Sequence, residues 1–270
     1  MIINYLNKNY NFKNGIYIKN FFLTKQKKEF KMRKNVAIKN YKNYHDEISK
    51  FHSMEVMDQE IIKFTQHLKK NSIILDLGCG WCWHWRNIYK IRPDITIFAI
   101  DFIKENFEHA KKILSKKSMR QIYFVNDDIN KINFKASSFD SIWTVQLLQH
   151  IPNLKPVLNE TYRVLKPGGF LFNYQLNDSI FVKIKNFCFR NKKVKNYYYL
   201  NRNLKKNNKL FIKIFKNKVF NEFNEILFHP ELNFFFGRKN SFLGKIDSFI
   251  SGYGLLRSYL ARQVLMKIKK

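Results

Sequence analysis

A short apolar run, Ile73-Ile74-Leu75, passes directly into Asp76-Leu77-Gly78-Cys79-Gly80, and this junction constrains the chain more than any other. An apolar run of that length reads as a buried strand. The paired glycines after it permit backbone angles and close approaches that other residues resist. A helical period precedes the strand over residues 54–70, and Asn71-Ser72 ends it. A second helix follows the turn as far as about Ile91, where Arg92-Pro93-Asp94 stops it. The alternation then repeats. Strands are expected at 95–100, 122–125, 141–145 and 170–174, helices at 103–117 and 153–165, and a turn at Lys166-Pro167-Gly168-Gly169. Strands alternating with helices of this length imply an α/β fold, a doubly wound and mostly parallel sheet with helices on both faces.

Such a sheet binds ligands outside the carboxyl ends of its strands. The acids and glycines of this chain gather there. Gly78 and Gly80 follow the first strand, Asp101 ends the second, Asp128 follows the third and Gln146 the fourth. An acid in the position of Asp101 can take both hydroxyls of a ribose. A dinucleotide does not fit the spacing. Its fingerprint needs a third glycine to open a helix over the pyrophosphate, whereas Gly78-Cys79-Gly80-Trp81-Cys82-Trp83 puts two bulky rings there. A nucleoside without pyrophosphate fits better.

Asp76-Leu77-Gly78-Cys79-Gly80 resembles motif I of the class I S-adenosylmethionine-dependent methyltransferases. Four further segments resemble that family in order: Asp101; Asp128 with Ile132 and Phe134; Ser138-Phe139-Asp140; and Arg163-Val164-Leu165-Lys166-Pro167-Gly168-Gly169. The resemblance covers about residues 55–176 and is greatest to the branch acting on small molecules, lipids, quinones and sugars. It implies a Rossmann-like fold and S-adenosylmethionine as cofactor. It implies cofactor contacts from Asp76, Gly78, Cys79, Gly80, Trp81, Asp101, Phe102, Asp128, Ile129 and Gln146, with Asp101 on the ribose and Asp128 by the adenine amine. Cys82 stands where the family often has a small residue or glycine, and Trp81-Cys82-Trp83-His84-Trp85 is unusually aromatic. These rings either crowd the methionine end of the cofactor or give its sulfonium a cation–π face; crowding tolerated by the small Cys82 is the expectation.

Charge divides the chain. Net charge is +30, and residues 1–45 contribute eleven Lys and Arg against one acid, Glu29. Thirteen more basic residues, with no acid, lie between Asp178 and Glu222. The expected organisation is a basic N-terminal extension at 1–45 and a methyltransferase domain at 46–270. That domain would hold its core at 55–176, a basic lid or insertion at 178–240 and a C-terminal return at 241–270. Met32 is an alternative start. Such a field attracts polyanions, although Lys, Asn, Ile, Phe and Tyr are also the residues of A/T-rich codons. Three cysteines make no disulfide framework and fit a reducing cytoplasm, the expected location. No apolar run is long enough to span a membrane, which leaves peripheral contact.

Cys79-x-x-Cys82 with His84 invites a metal reading, but zinc takes four ligands and Cys188 is distant, so no metal is expected. His150 is either a general base for the acceptor or a structural residue before Pro152. Tyr197-Tyr198-Tyr199 either stacks bases or lines a solvated basic lid. The leading function is a methyltransferase for a small molecule or a glycan- or lipid-type acceptor. The alternatives are an RNA methyltransferase with the basic segments as clamp and a non-catalytic binding protein. The chain lacks the Asn/Asp-Pro-Pro-aromatic sequence of base-amine methyltransferases after its fourth strand, where Trp143-Thr144-Val145-Gln146 stands.

Overall fold

The computed structural model describes residues 5–6, 10–19, 27–49, 54–180, 183–184, 203–226, 246–247, 249–250 and 257–270. These fall into two compact units. The first comprises Met1–Thr144, Asn153–Leu171 and Lys270; the second comprises Val145–Pro152 and Phe172–Lys269. Cys188, the tyrosine triplet at 197–199 and the glycine break at 252–254 lie outside the described residues.

The first unit carries the expected parallel sheet. Its strands are β1 (Asn11–Lys13), β2 (Ile16–Ile18), β3 (Ile73–Leu77), β4 (Thr96–Asp101), β5 (Ile122–Asn126) and β6 (Phe139–Val145), with the first half of β7 (Leu165–Leu176). They lie in the order β1-β2-β5-β4-β3-β6-β7. β3 pairs in parallel with β4 and β6, and β4 with β5. Ile74, Leu75, Ile97, Phe98, Ile100 and Ile142 are fully buried, as strands covered on both faces require.

The N-terminal segment, which has no period in sequence, extends this sheet. β1 and β2 form an antiparallel hairpin, and β2 pairs in parallel with β5. The turn is Asn14-Gly15, with φ of 52° and 77°. Positive φ at both central residues matches the right-handed twist of the flanking strands, which is why Asn-Gly is the preferred pair there. Helix α1 (Lys27–Ala37) follows, then α2 (Tyr44–Ser49) and α3 (Met54–Gln66).

Three expected elements differ. The helix after Gly80 begins only at a 3₁₀ turn, Trp83–Trp85, because Cys82 before it sits at φ 54°, outside helical space, and Asn87, at φ −108° and ψ 10°, separates that turn from a short α4 (Ile88–Ile91). The helix expected at 103–117 is α5 (Glu105–Ile113) and α6 (Lys116–Met119). Leu114 turns extended between them, and the Ser115 side chain caps the second piece. Helix α7 (Leu154–Val164) runs straight into β7, so Lys166-Pro167-Gly168-Gly169 is strand rather than free turn. The reason is a distant partner: Gly168 N–H donates to Lys270 O, and Lys270 N–H to Gly169 O.

Two of the family-like segments are structural ties in this unit. Asp140 accepts from Ile73 N–H at the start of β3 and from Lys166 Nζ, both at 2.8 Å. Arg163 donates to Phe134 O and Ile132 O at 2.7 Å and forms a two-pronged pair with Glu160. The guanidinium fork thereby fixes the chain that follows Asp128.

In the second unit the end of β7 is followed in the sheet by β9 (Gln263–Lys269) and then β8 (Phe220–Asn224), with β8 and β9 antiparallel. It also holds α8 (Leu204–Phe215) and the short α9 (Arg257–Leu260). Arg262 and Gln263 both donate to Glu225, whose carboxylate is fully buried. Among the described residues no helix is long and apolar enough to cross a membrane.

Candidate functional site

The first unit holds nine of the expected site residues, at the carboxyl ends of β3 and β4 and on the loops after β3, β4 and β5. Gly78 and Gly80 adopt φ of 66° and 53°, the left-handed region that glycine enters without strain. Gly78 N–H donates to Ile100 O at 2.8 Å, which ties the loop to the end of β4. A side chain built on Gly80 would meet no atom within 4 Å, so this backbone borders open space.

Asp76, the last-but-one residue of β3, is wholly buried. Its Oδ2 accepts from Trp85 Nε1 at 2.7 Å and from His84 Nε2 at 2.9 Å. Its Oδ1 has no partner among the described residues. An unmet carboxylate oxygen costs about 1–3 kcal/mol or more, so this atom marks a place for a cationic or N–H donor.

Asp101 closes β4 and accepts from Gly80 N–H at 2.9 Å and Ile103 N–H at 2.8 Å. Burial pushes its carboxyl up to about 6, against the pull of those two amides. Phe102 meets Phe30 of α1 edge-on at 5.6 Å. Asp128 caps the turn Ile129–Lys131 through Asn130 N–H at 3.0 Å, and Ile129 is buried. Asp127 beside it is held by Tyr10 and faces Lys19.

The aromatic run after Gly80 does not act as one patch. Trp81 packs against Tyr41 at 4.8 Å, His109 at 4.9 Å and Tyr44 at 5.4 Å. His109 Nε2 donates to Ala37 O, so its Nδ1 accepts from Tyr44 Oη at 2.9 Å. The Arg86 guanidinium lies 4.7 Å from the Trp83 ring, while Asp58 takes the same guanidinium two-pronged. Trp85 is fully buried. The three Trp rings of this run thus occupy three separate environments. Cys82 takes the left-handed conformation that explains a glycine preference there.

Gln146 and His150 fall in the second unit. Gln146 has φ 50°, and its N–H donates to Tyr174 O. His150 is buried; Gln149 Nε2 donates to its Nε2 at 3.2 Å, while Gln149 Oε1 accepts Leu176 N–H. His84 and Trp85, read in sequence as a metal possibility and as part of an aromatic run, are instead the partners of Asp76, and Thr144 had no role assigned in sequence. Thr144 ends its stretch of β6 in register with Leu77, fully buried, with an Oγ1 that meets no partner among the described residues. The spacing signal for Trp85 was slight, because its link to Asp76 depends on the broken helix.

A family model described as a methyltransferase domain matches residues 68–223. The sterol 24-C-methyltransferase of Debaryomyces hansenii is 28% identical over 126 residues, 46% of this chain and 33% of the relative. That of Neurospora crassa is 32% identical over 109 residues, 40% of this chain and 28% of the relative. The chain thus spans about a third or less of the length of these curated relatives. Among solved structures, an S-adenosylmethionine-dependent methyltransferase from Archaeoglobus fulgidus superposes with a TM-score of 0.59 at 14% identity, over 84% of this chain and 100% of that one. Phosphoethanolamine N-methyltransferase 2 of Haemonchus contortus, in complex with S-adenosyl-L-methionine, gives 0.57 at 19% identity, over 80% of this chain and 52% of that one. Both share the fold.

Proposed function

This chain belongs to the methyltransferase-domain family, and from that premise we propose that it moves a methyl group from S-adenosylmethionine to a small, lipid-type acceptor. The observation that carries the cofactor reading is the unmet, buried Oδ1 of Asp76 beside the open backbone of Gly80. The cofactor's ammonium would satisfy that oxygen. Asp101, oriented by two amides, would accept the ribose hydroxyls, and Asp128 would sit by the adenine amine, with Phe102 and Ile129 as further contacts. Gly78, Cys79, Gly80 and Trp81 would supply backbone along the cofactor. When bound, S-adenosylmethionine brings an activated methyl on sulfur. The protein aligns the acceptor and excludes water.

The lipid-type acceptor is supported by the sterol and phosphoethanolamine relatives and by α8. Asn207, Phe211 and Phe215 of that helix are buried at four-residue spacing. Lys205, Lys206, Lys209, Lys213 and Lys216 are exposed, as are Lys218 and Phe220 beyond its end. Ile212 stays 46% exposed among these lysines and Phe220 55%. Lysines around exposed apolar side chains suit the surface of an anionic bilayer, each worth about 1 kcal/mol there. On this reading the enzyme is a peripheral one, in the reducing cytoplasm its thiols suit.

Calorimetry with S-adenosylmethionine tests the cofactor; absence of binding, or an unchanged affinity in Asp101→Ala, overturns it. Labelled methyl transfer to sterol, aminoalcohol phosphate, glycan and RNA acceptors tests the acceptor class, and transfer to RNA alone overturns the lipid reading. Vesicles of phosphatidylserine should bind the chain at low salt and release Lys209→Glu/Lys213→Glu. Equal binding to neutral vesicles would refute the charge argument.

A further inference from the structure

Sequence spacing offers two thiols and no fourth zinc ligand, and for that reason predicts no metal. The fold adds a ligand. Cys79 Sγ, Cys82 Sγ and a carboxylate oxygen of Asp76 all lie within 4.8 Å of one another, and all three residues are buried. Cys82 N–H donates to Cys79 O at 2.9 Å, so the C-x-x-C segment is a closed turn that presents both thiols from one loop. Neither cysteine is in a disulfide. Asp76 keeps one oxygen without a partner among the described residues. Its other oxygen is held by His84 and Trp85.

We propose that Cys79, Cys82 and Asp76 form a site for a soft divalent cation, zinc or cadmium in class, and that the ion and the cofactor exclude one another. Zinc bonds sulfur at about 2.3 Å and carboxylate oxygen at about 2.0–2.2 Å, so tetrahedral donors stand about 3.3–3.8 Å apart. From within 4.8 Å, that spacing asks for side-chain adjustments of about an ångström, and the turn already sets the backbone. Binding replaces two S–H bonds by two metal–sulfur bonds and releases two protons to solvent; no electrons move. The ion keeps an open fourth position for water, as exchangeable sites do. His84 acts from the outer shell, donating to Asp76 and holding the carboxylate in place. The unmet Asp76 oxygen is also the one assigned above to the cofactor's ammonium, so one occupant displaces the other.

The ion site stands on the donor geometry; only the competition rests on the cofactor reading. The test titrates the full, reduced, cofactor-free chain with cadmium, following thiolate-to-cadmium charge-transfer absorption, and then zinc by displacement. One equivalent should bind. Cys82→Gly is the informative variant, since glycine suits φ 54° and keeps the loop folded. It should bind the ion more than ~100-fold more weakly, beyond the ~10–100-fold cost of losing an outer-shell group, and His84→Ala about tenfold more weakly. S-adenosylmethionine titrated separately into metal-free wild type and Cys82→Gly reports on the cofactor reading alone. Absence of the one-equivalent band, undiminished affinity in Cys82→Gly, or ion binding that leaves cofactor affinity unchanged each overturns the proposal.

Discussion

Trp85 Nε1 donates to Asp76 Oδ2 at 2.7 Å, and both residues are shut off from solvent. A ring that looks in sequence like an obstacle to the cofactor is instead what aims the carboxylate below it. His84, on the same 3₁₀ turn, gives the carboxylate a second anchor. The free oxygen of Asp76 therefore points where the loop leaves it.

Trp85→Phe keeps most of the buried ring and deletes that donor. It should cost about 1–2 kcal/mol of stability, the range for a hydrogen bond to a charged group. Cofactor affinity should fall about tenfold, as Asp76 gains freedom. Denaturant unfolding and calorimetry read the two effects, and an unchanged cofactor affinity would show that Trp85 does not position Asp76.

Asp101 gives a pH prediction of two opposite signs. Burial raises its carboxyl to about 6, against about 3.9 in an unfolded chain. The folded state thus holds this proton more tightly than the unfolded state. Its contribution to stability is fully present below about pH 4 and is lost as pH rises through about 6, worth about 3 kcal/mol. Cofactor binding runs the other way, because ribose hydroxyls donate to the ionised form. Affinity should fall about tenfold per unit below about pH 6 and level off above it. A flat affinity between about pH 5 and 7, or an identical slope in Asp101→Asn, would remove Asp101 from the ribose.

Tyr10 donates to the buried Asp127, next to Asp128. Tyr10→Phe leaves that carboxylate with Lys19 at 3.7 Å and its neighbour's amide. It should destabilise the chain by about 1–3 kcal/mol. Deleting residues 1–31 should do at least as much, since the hairpin pairs with β5. A truncated chain that melts at the wild-type temperature would make the hairpin dispensable.

Two glycines should respond to alanine differently. At Gly169 a Cβ would stand 2.7 Å from the Asp140 backbone oxygen. Overpacking of this kind costs about 1–3 kcal/mol, so Gly169→Ala should lower the melting temperature without touching the cofactor loop. At Gly80 a Cβ meets nothing but must accept φ +53°. Gly80→Ala should cost about 1–2 kcal/mol in backbone strain and reduce cofactor affinity more than stability. Equal cofactor binding in both variants would mean that Gly80 does not border the cofactor.

The strand–helix alternation and the loop ends were legible because they are local. Ile73-Ile74-Leu75 can only be buried strand before two glycines, and Asp101 ends its strand by its own neighbours. The hairpin at the amino end was also local, carried by Asn14-Gly15, but strands of three residues leave no period to read. Broken helices were harder. The sign of a left-handed backbone at Cys82 was only that the related family often has glycine there, and that conformation delays the helix expected after Gly80.

The sequence by itself determined the parallel α/β core, the order of its ligand-facing loops and the acids at the strand ends, because periodicity and glycine placement act through neighbours along the chain. Tertiary structure alone decided what each aromatic ring does, that Asp76 meets Cys79 and Cys82, and that Lys270 closes the Gly168-Gly169 segment. Those are pairings across space, set by which groups lose water together, and residue type alone does not carry them.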